Sequence, residues 1–238
     1  MGDNQSNLPR HCKPVTRQMN EIVEVETIYD GWSKCLLAHV RLKDGSIIKR
    51  QIEDHGSAVV VLAYDPERRC ATLIRQFRGA VRYSGQSEDL LECIAGILDE
   101  DDPAAAARRE ASEETGLALG EVEHVGRYWS MPGISTERSD MFLAAYSESD
   151  RTGKGGGLAE EHEDITILEM PLADLAAMAD KGEIQDLKVF ALLQTLRLRR
   201  PELFSREERQ PRFSPPEKAA TLPSQPKTKA RPGKKQPK

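Results

Sequence analysis

Three glutamates lie within five residues near the middle of the chain, in the segment RREASEETGL (Arg108 to Leu117). On a helix, Glu110, Glu113 and Glu114 share one face because they are spaced by three and four residues. Carboxylates on one helix face fit two uses: a solvated acidic surface, or oxygen ligands for a hard cation such as Mg²⁺. A cation held there can bind the phosphate oxygens of a substrate. The segment alone leaves both interpretations open.

The flanking residues predict the helix that positions these carboxylates. Asp101 or Asp102 is a suitable N-cap, Pro103 fits the first turn, the body is rich in alanine, and Gly116 is a typical helix stop. Arg109 is expected to pair with a glutamate four residues on and so relieve repulsion along the face. The sequence therefore predicts a helix from about residue 103 to residue 115.

A glycine placed before the helix favours the metal interpretation. Gly96 ends an apolar strand fourteen residues before Glu110, where a tight loop can direct backbone oxygens at the acidic face. Hard cations take carboxylate and carbonyl oxygens together.

The stretch AGILDEDDPAAAARREASEETGL resembles the Nudix box, the signature of the Nudix hydrolase family. The fixed positions matched in its second half are Arg109, Glu110, Glu113, Glu114, Gly116 and Leu117. Two features depart from the pattern: the interval from Gly96 to Arg109 is one residue short, and Asp102 stands where the pattern has glutamate. The likeness extends over roughly residues 45 to 200, and LIRQFRGAV, LLECIAG and GGGLAEEHEDI are similar to the nucleotide-sugar branch of the family.

The resemblance implies an α/β fold, a Nudix α/β/α sandwich with a mixed sheet, preceded by a small antiparallel β meander. It implies Mg²⁺-dependent hydrolysis (with Mn²⁺ as an alternative ion) of the pyrophosphate of a nucleoside diphosphate sugar, of ADP-ribose or GDP-mannose type, to a nucleoside monophosphate and a sugar phosphate. The metal ligands implied are the Ala95 carbonyl oxygen, Glu110, Glu114 and Glu163.

The resemblance also assigns roles around these ligands. Glu113 is an outer ligand or orienting group, and Arg109 braces the helix and the loop before it. The general base is implied to be Glu161, with Glu160 and Glu163 as neighbours able to replace it. Gly155 to Gly157 are expected to give this acidic loop freedom to close over substrate.

Arg78, Arg75 and Glu137 are the candidate substrate-binding residues. A planar guanidinium suits a phosphate or a stacked base, although a salt bridge at the rim is the alternative for Arg75. Glu137 lies in the SMPGISTER loop, which flanks the substrate in similar proteins. His55 is expected in a turn, and Trp129 either stacks on a base or packs in the core.

The hydrophobic pattern divides the chain into four parts: a flexible N-terminus (1–20), a β subdomain (21–56), the Nudix domain (57–200) and a disordered tail rich in Pro and Lys (201–238). The β subdomain reads as a meander with turns at Asp30-Gly31 and Asp44-Gly45, followed by a hairpin turning at Asp65-Pro66. Three short strands bury little surface. The resemblance implies that this subdomain crosses to a second subunit, so we expect a homodimer.

Composition excludes several other classes of function. The 238 residues carry a net charge of −5, and the seven basic residues from Lys218 onward leave the rest more acidic still, so nucleic acid is not an expected partner. No apolar run is long enough to span a membrane, the N-terminus has no signal-peptide core, and four widely spaced cysteines form no CxxC pair. We therefore expect a cytoplasmic protein.

Two alternatives stay open beside the hydrolase. One is a Nudix-fold regulator that binds such a ligand without cleaving it, and the other is a Nudix hydrolase of another nucleoside diphosphate derivative. A non-catalytic sensor is expected to lose a helix acid, and none is lost here, which favours catalysis.

Overall fold

The N-terminal strands form a separate three-stranded antiparallel sheet in the computed structural model, which describes residues 19–86, 88–158 and 164–205. The strands β1 (Glu21–Asp30), β2 (Lys34–Arg41) and β3 (Ile47–Asp54) are paired in the order β1-β2-β3. The β2–β3 turn is closed by Asp44, which accepts hydrogen bonds from Ser46, and by Gly45 at φ 83°. This confirms the predicted meander and both of its turns.

The main sheet has seven strands and mixed pairing. Its strands are β4 (Ala58–Asp65), β5 (Cys70–Gln76), β6 (Leu90–Glu92), β7 (Ile94–Ile97), β8 (Glu123–Trp129), β9 (Arg138–Ala145) and β10 (Thr166–Pro171). The order is β10-β5-β4-β9-β8, with β6 on β5 and β7 on β4. Only β4 and β9 pair in parallel among these strands.

Helices cover both faces of this sheet, as the α/β/α prediction requires. They are α1 (Gly79–Tyr83), α2 (Pro103–Thr115), α3 (Leu172–Asp180) and α4 (Leu187–Arg199). Alternate residues of β4 face opposite layers: Val59 and Val61 pack in the cluster that includes α2, whereas Val60 and Leu62 pack with α3 and α4. Because its side chains alternate between the two clusters, β4 joins the two layers. Each buried side chain of this size contributes about 1.5–3 kcal/mol to stability. The short, exposed α1 was not predicted.

Helix α2 begins and ends as the sequence predicts. Asp102 is the N-cap and accepts from Ala104 N at 2.9 Å, and Gly116 ends the helix at φ 69°. The resemblance compared Asp102 with a loop acid, and its side chain here caps the helix.

The two sheets meet through β3 and the loop before β9. Glu53 exchanges backbone hydrogen bonds with Ile134 (2.8 Å) and Thr136 (2.9 Å), and the Thr136 hydroxyl donates to Asp54 at 2.6 Å. Ordered structure continues past the predicted boundary at residue 200, since Pro201–Phe204 is a 3₁₀ helix that buries Leu203. Residues 1–18 and 206–238, which contain most of both predicted terminal segments, lie outside the described residues. Among the described helices, none is both long and apolar enough to cross a membrane.

Candidate active site

The acidic face of α2 lies against strand β7. Glu114 is only 2% exposed, and its Oε2 accepts a hydrogen bond from Ala95 N at 3.2 Å. Glu110 is also largely buried, whereas Glu113 is more open. Burying a carboxylate costs free energy unless other groups stabilise its charge, so this is not the solvated acidic surface that the segment alone allowed.

Gly96 on β7 makes room for Glu110. A Cβ at position 96 would lie 2.0 Å from the Glu110 carboxyl carbon and 2.0 Å from its Oε1. The glycine that the sequence pattern singled out therefore leaves the space that the Glu110 carboxylate occupies. It lets the backbone of β7 touch the acidic face, which places Ala95 and Gly96 beside Glu114 and Glu110.

Arg109 connects the helix to the loop before it. Its Nη1 lies 2.9 Å from Glu110 and 3.0 Å from Glu113, and its Nη2 lies 3.0 Å from Asp99. The pair with Glu113 is the one that the spacing predicts. Burial alone would lower the pKa of Arg109, but the surrounding carboxylates outweigh it and raise the pKa above its usual value. The bracing arrangement is present, and its contribution to function stays a prediction.

The acidic face of α2, here called the acidic wall, borders a cavity of about 800 Å³ whose lining also includes cationic side chains. Arg78 donates to both oxygens of buried Glu92, at 2.7 and 3.1 Å. Lys188 Nζ donates to Asp186 at 2.9 Å. Burial alone would lower the pKa of Lys188, but the Asp186 charge and hydrogen bond outweigh it and raise the pKa. Both cations line the cavity together with Ala95, Gly96, Arg109 and Glu110.

Sequence reasoning missed Glu92, Asp186 and Lys188. Glu92 was an available signal, because a carboxylate inside the apolar run LLECIAG is costly to bury without a partner. Lys188 carried no signal. It reaches the cavity only because α4 packs on the sheet near β6, and no local pattern encodes that packing.

Of the other candidate substrate residues, Glu137 lines the cavity and Arg75 does not. Glu137 accepts from the Ser130 hydroxyl and lies 3.4 Å from His55 Nε2. Arg75 donates to the Asp89 carbonyl at 3.0 Å and lies 3.9 Å from Glu88. These contacts at the end of β5 match the alternative in which Arg75 forms a salt bridge at the rim.

Two aromatic rings from the N-terminal sheet complete the cavity wall. His55 stacks on Trp32 with ring centroids 5.2 Å apart, and both line the cavity. The prediction placed His55 in a turn and did not single out Trp32. Trp129 lies elsewhere: the Arg138 guanidinium covers its ring at 5.2 Å, and it lines a separate, smaller pocket beside β2 and β3. Among the described tryptophans, Trp32 is the one at the cavity.

The glycine-rich loop lies on the end of α2. Gly156 N donates to the Glu114 carbonyl at 2.8 Å, and Gly157 N donates to that of Glu113 at 3.2 Å. Gly155, Gly156 and Gly157 all have positive φ. These hydrogen bonds join the glycine segment to the end of α2, and the freedom of the loop to close over substrate stays a prediction. Residues 159–163, which include the predicted base Glu161, the predicted ligand Glu163 and Glu160, lie outside the described residues.

A second acidic group occurs on the N-terminal sheet, away from the residues that line the cavity. Glu24, Glu26 and His39 place potential ligand atoms within 4.8 Å of one another. His39 contacts both carboxylates, at 3.2 and 2.8 Å. The ring of His39 therefore lies between two exposed acids.

Comparison with known proteins identifies a family and several relatives. The NUDIX domain family matches residues 54–193. A GDP-mannose pyrophosphatase of Citrobacter koseri is 44% identical over 157 residues, which are 65% of this chain and 81% of that protein. One of Escherichia coli is 42% identical over 159 residues, 66% of this chain and 82% of that protein. The crystal structure of an ADP compounds hydrolase aligns with a TM-score of 0.61 at 17% identity, covering 76% of this chain and 96% of that one.

Proposed function

This chain belongs to the Nudix family of hydrolases, and we propose that it hydrolyses the pyrophosphate bond of a nucleoside diphosphate sugar, releasing a nucleoside monophosphate and a sugar phosphate. The observation that carries the proposal is a cavity whose lining combines Glu110 of the acidic wall on α2 with the cations Arg78 and Lys188.

The charges of the cavity suit a diphosphate. Such a substrate brings about two negative charges, which a carboxylate wall alone would repel. Arg78 and Lys188 both line this cavity, and each is held by a buried acid, Glu92 or Asp186. Charged hydrogen-bond donors held in place are the groups that orient phosphates without needing rearrangement.

The acidic wall also fits a divalent metal ion. Glu114 is a buried carboxylate beside Ala95, and the missing side chain at Gly96 makes room for Glu110. Oxygen donors of this kind are the preferred ligands of Mg²⁺. We propose Mg²⁺, with Mn²⁺ as a substitute, held by Glu110, Glu114, the Ala95 carbonyl oxygen and Glu163. When bound, the ion supplies charge neutralisation and a more acidic water.

We assign two further roles, a bracing role to Arg109 and the role of general base to Glu161. Arg109 holds Glu110 and Glu113 and ties them to Asp99 in the preceding loop. Glu161 is proposed as the base that takes the proton of the attacking water, a contribution of roughly 10²- to 10⁴-fold for a positioned base.

The identity of the relatives favours a GDP-mannose-type substrate, because those at 42–44% identity are named GDP-mannose pyrophosphatases. Trp32 lines the cavity, is 76% exposed as a residue, and offers a ring on which a base can stack.

The test is to incubate the protein with Mg²⁺ and GDP-mannose, ADP-ribose or ADP-glucose side by side, and to follow phosphate released from the products by an added phosphatase. We expect turnover of at least one nucleotide sugar, with GDP-mannose the fastest. Binding of all three without turnover by protein that binds metal would overturn the proposal and favour the non-catalytic regulator.

We further propose that the protein works as a homodimer in the cytoplasm. Exposed apolar side chains on the N-terminal sheet, among them Ile22, Val25 and Tyr29, support a surface that a second subunit covers. Free thiols at Cys35, Cys70 and Cys93 support a reducing compartment.

A further inference from the structure

The C-terminal end of α2 is held by one neighbouring segment, residues 151–157. The last carbonyl groups of a helix have no partner within the helix. Here they accept from Gly157 N (Glu113 O, 3.2 Å), Gly156 N (Glu114 O, 2.8 Å), Arg151 Nη1 (Thr115 O, 3.1 Å), and Thr152 N and Gly153 N (Gly116 O, 2.9 and 3.0 Å). The helix that carries the acidic wall therefore has its final turn satisfied by this segment.

The close contact between the end of α2 and residues 151–157 depends on glycines in both segments. A Cβ at Gly116 would lie 2.2 Å from the Gly153 carbonyl oxygen, and one at Gly155 would lie 2.6 Å from the Glu114 carbonyl oxygen. Both contacts are with backbone atoms, which do not move aside cheaply. The sequence thus keeps two backbones in contact at the helix end.

Arg151 links this end of α2 to strand β10. Its Nη2 donates to Glu169 Oε1 at 2.6 Å, while its Nη1 donates to Thr115. Glu169 is itself held by Arg68, with Nη1 at 2.8 Å, and by the Tyr146 hydroxyl at 3.0 Å. The hydrogen bond from Arg68 is the main cause that lowers the pKa of Glu169 to about 2. A cation at a helix C-terminus is also favoured by the helix dipole.

We propose that Arg151 is a positioning residue: by joining the Thr115 carbonyl to Glu169, it fixes the last turn of α2 and thereby the carboxylates of Glu110 and Glu114. The proposal rests on the proposed function, because it concerns the same metal-binding wall. Glu114 and Glu110 meet β7 with little spare room, as the contacts at Ala95 and Gly96 show. A small shift of the helix therefore misplaces both ligand groups at once.

The test compares wild type with Arg151→Met, using two readouts. The first is calorimetric titration with Mn²⁺ in the absence of substrate, and the second is steady-state kinetics with the best nucleotide sugar. Removing a group that orients metal ligands costs 10- to 100-fold in affinity or activity. We expect about tenfold weaker Mn²⁺ binding and about tenfold lower kcat, with KM changed by less than about twofold.

A matched control is Arg197→Met, which removes a surface arginine paired with Asp180 at 2.7 Å between α4 and α3. It should lower thermal stability by a similar amount and leave Mn²⁺ affinity and kcat unchanged. Glu114→Gln serves as the blank, because it reports Mn²⁺ bound elsewhere, for example at Glu24, Glu26 and His39. Glu169→Gln, which keeps Arg151 but removes the charge of its partner, should weaken Mn²⁺ binding in the same direction by a smaller factor.

Equal Mn²⁺ affinities for Arg151→Met and Arg197→Met would overturn the proposal, as would a loss confined to thermal stability. The outcome is separable from that of the proposed function. If the wild type hydrolyses no nucleotide sugar, the proposed function fails, whereas the Mn²⁺ titration still decides whether Arg151 positions the acidic wall.

Discussion

At the scale of single residues, the buried carboxylate of Glu114 is the group on which the proposed chemistry most depends. It is removed from water beside the Ala95 amide, and a neutral amide of the same shape can still accept that hydrogen bond. Glu114→Gln should therefore fold normally and lose at least about 100-fold in kcat, since a neutral oxygen cannot replace a charged metal ligand. Coupled phosphate release and thermal unfolding measure the two effects.

The control for this substitution is Glu121→Gln, an exposed position in the loop before β8. It should leave both kcat and the melting temperature unchanged. Wild-type turnover by Glu114→Gln would remove this residue from the mechanism.

Lys188 gives a second prediction at this scale, concerning substrate binding. Lys188 lines the cavity, and its ammonium group is held by Asp186. A hydrogen bond to a charged group contributes about 1.5–3 kcal/mol, which corresponds to roughly a 10- to 100-fold change in affinity. Lys188→Met should therefore raise KM at least about tenfold, with a smaller effect on kcat. Lys181→Met, at an exposed position after α3, should change neither, and an unaltered KM in Lys188→Met would mean that the substrate lies elsewhere in the cavity.

The ion pairs of Glu169 predict how stability depends on pH. The pKa of Glu169 in the folded protein is about 2, below its usual 4.5. The charged carboxylate therefore makes its whole contribution to the free energy of unfolding above pH 4.5. The contribution is lost as pH falls from 4.5 toward 2, where the folded state also takes up the proton. In urea unfolding, wild type should be more stable than Glu169→Gln at pH 7, and the gap should narrow between pH 5 and pH 3. A gap that is constant over this range would show that the charge of Glu169 contributes nothing.

At the scale of secondary-structure elements, the contact between α2 and β7 builds the acidic wall, and Gly96 makes that contact possible. In Gly96→Ala the new methyl group would occupy the place of the Glu110 carboxylate. A flexible side chain can swing away, so the cost should fall on activity more than on stability. We expect kcat/KM to fall at least about tenfold, with a melting temperature within about 4 °C of wild type.

Gly120→Ala is the matched control for this element, because a Cβ there meets nothing within 4 Å. It should keep wild-type activity. If Gly96→Ala keeps full activity as well, the side chain of Glu110 does not need its present position.

The helix ends and the turns could be predicted from short stretches of sequence. The N-cap and the stop of α2, the turns of the N-terminal meander and the hairpin turn at Asp65-Pro66 each have a short-range physical cause, and the structure has all of them. The acidic face followed from helical spacing, and the spacing of Gly96 before it drew attention to this glycine. The prediction placed Gly96 at a tight loop, whereas in the structure it lies within β7 and its missing side chain leaves room for Glu110.

The parts that could not be predicted depend on contacts between distant segments. Lys188 reaches the cavity from α4, and Trp32 and His55 reach it from the N-terminal sheet. The hydrogen bonds from Gly156 and Gly157 to the end of α2 were not predicted either, because they join segments that only the packed structure brings together. The residues in each of these contacts are far apart in sequence, so no local spacing pattern predicts that they meet.

At the scale of the whole molecule, the N-terminal sheet leaves apolar surface uncovered. Strand β1 is an edge strand, paired within the described residues only to β2. Ile22, Val25 and Tyr29 on this strand are each more than half exposed. An edge strand with exposed apolar side chains is a ready surface for pairing with another chain. Because Trp32, in the turn between β1 and β2, lines the cavity, a partner placed on this sheet would also lie near the proposed substrate site.

We therefore expect light scattering after gel filtration to give about twice the protomer mass of 26.6 kDa at micromolar concentration. The double variant Val25→Asp, Tyr29→Asp places charges on the exposed surface of β1 and should shift the mass to that of the monomer, because buried unpaired charges are costly. Leu198→Asp, which changes an apolar residue of α4 that is 83% exposed, should remain dimeric. A wild-type monomer would refute the dimer, and dissociation by Leu198→Asp alone would place the interface on α4, away from the sheet that carries Trp32.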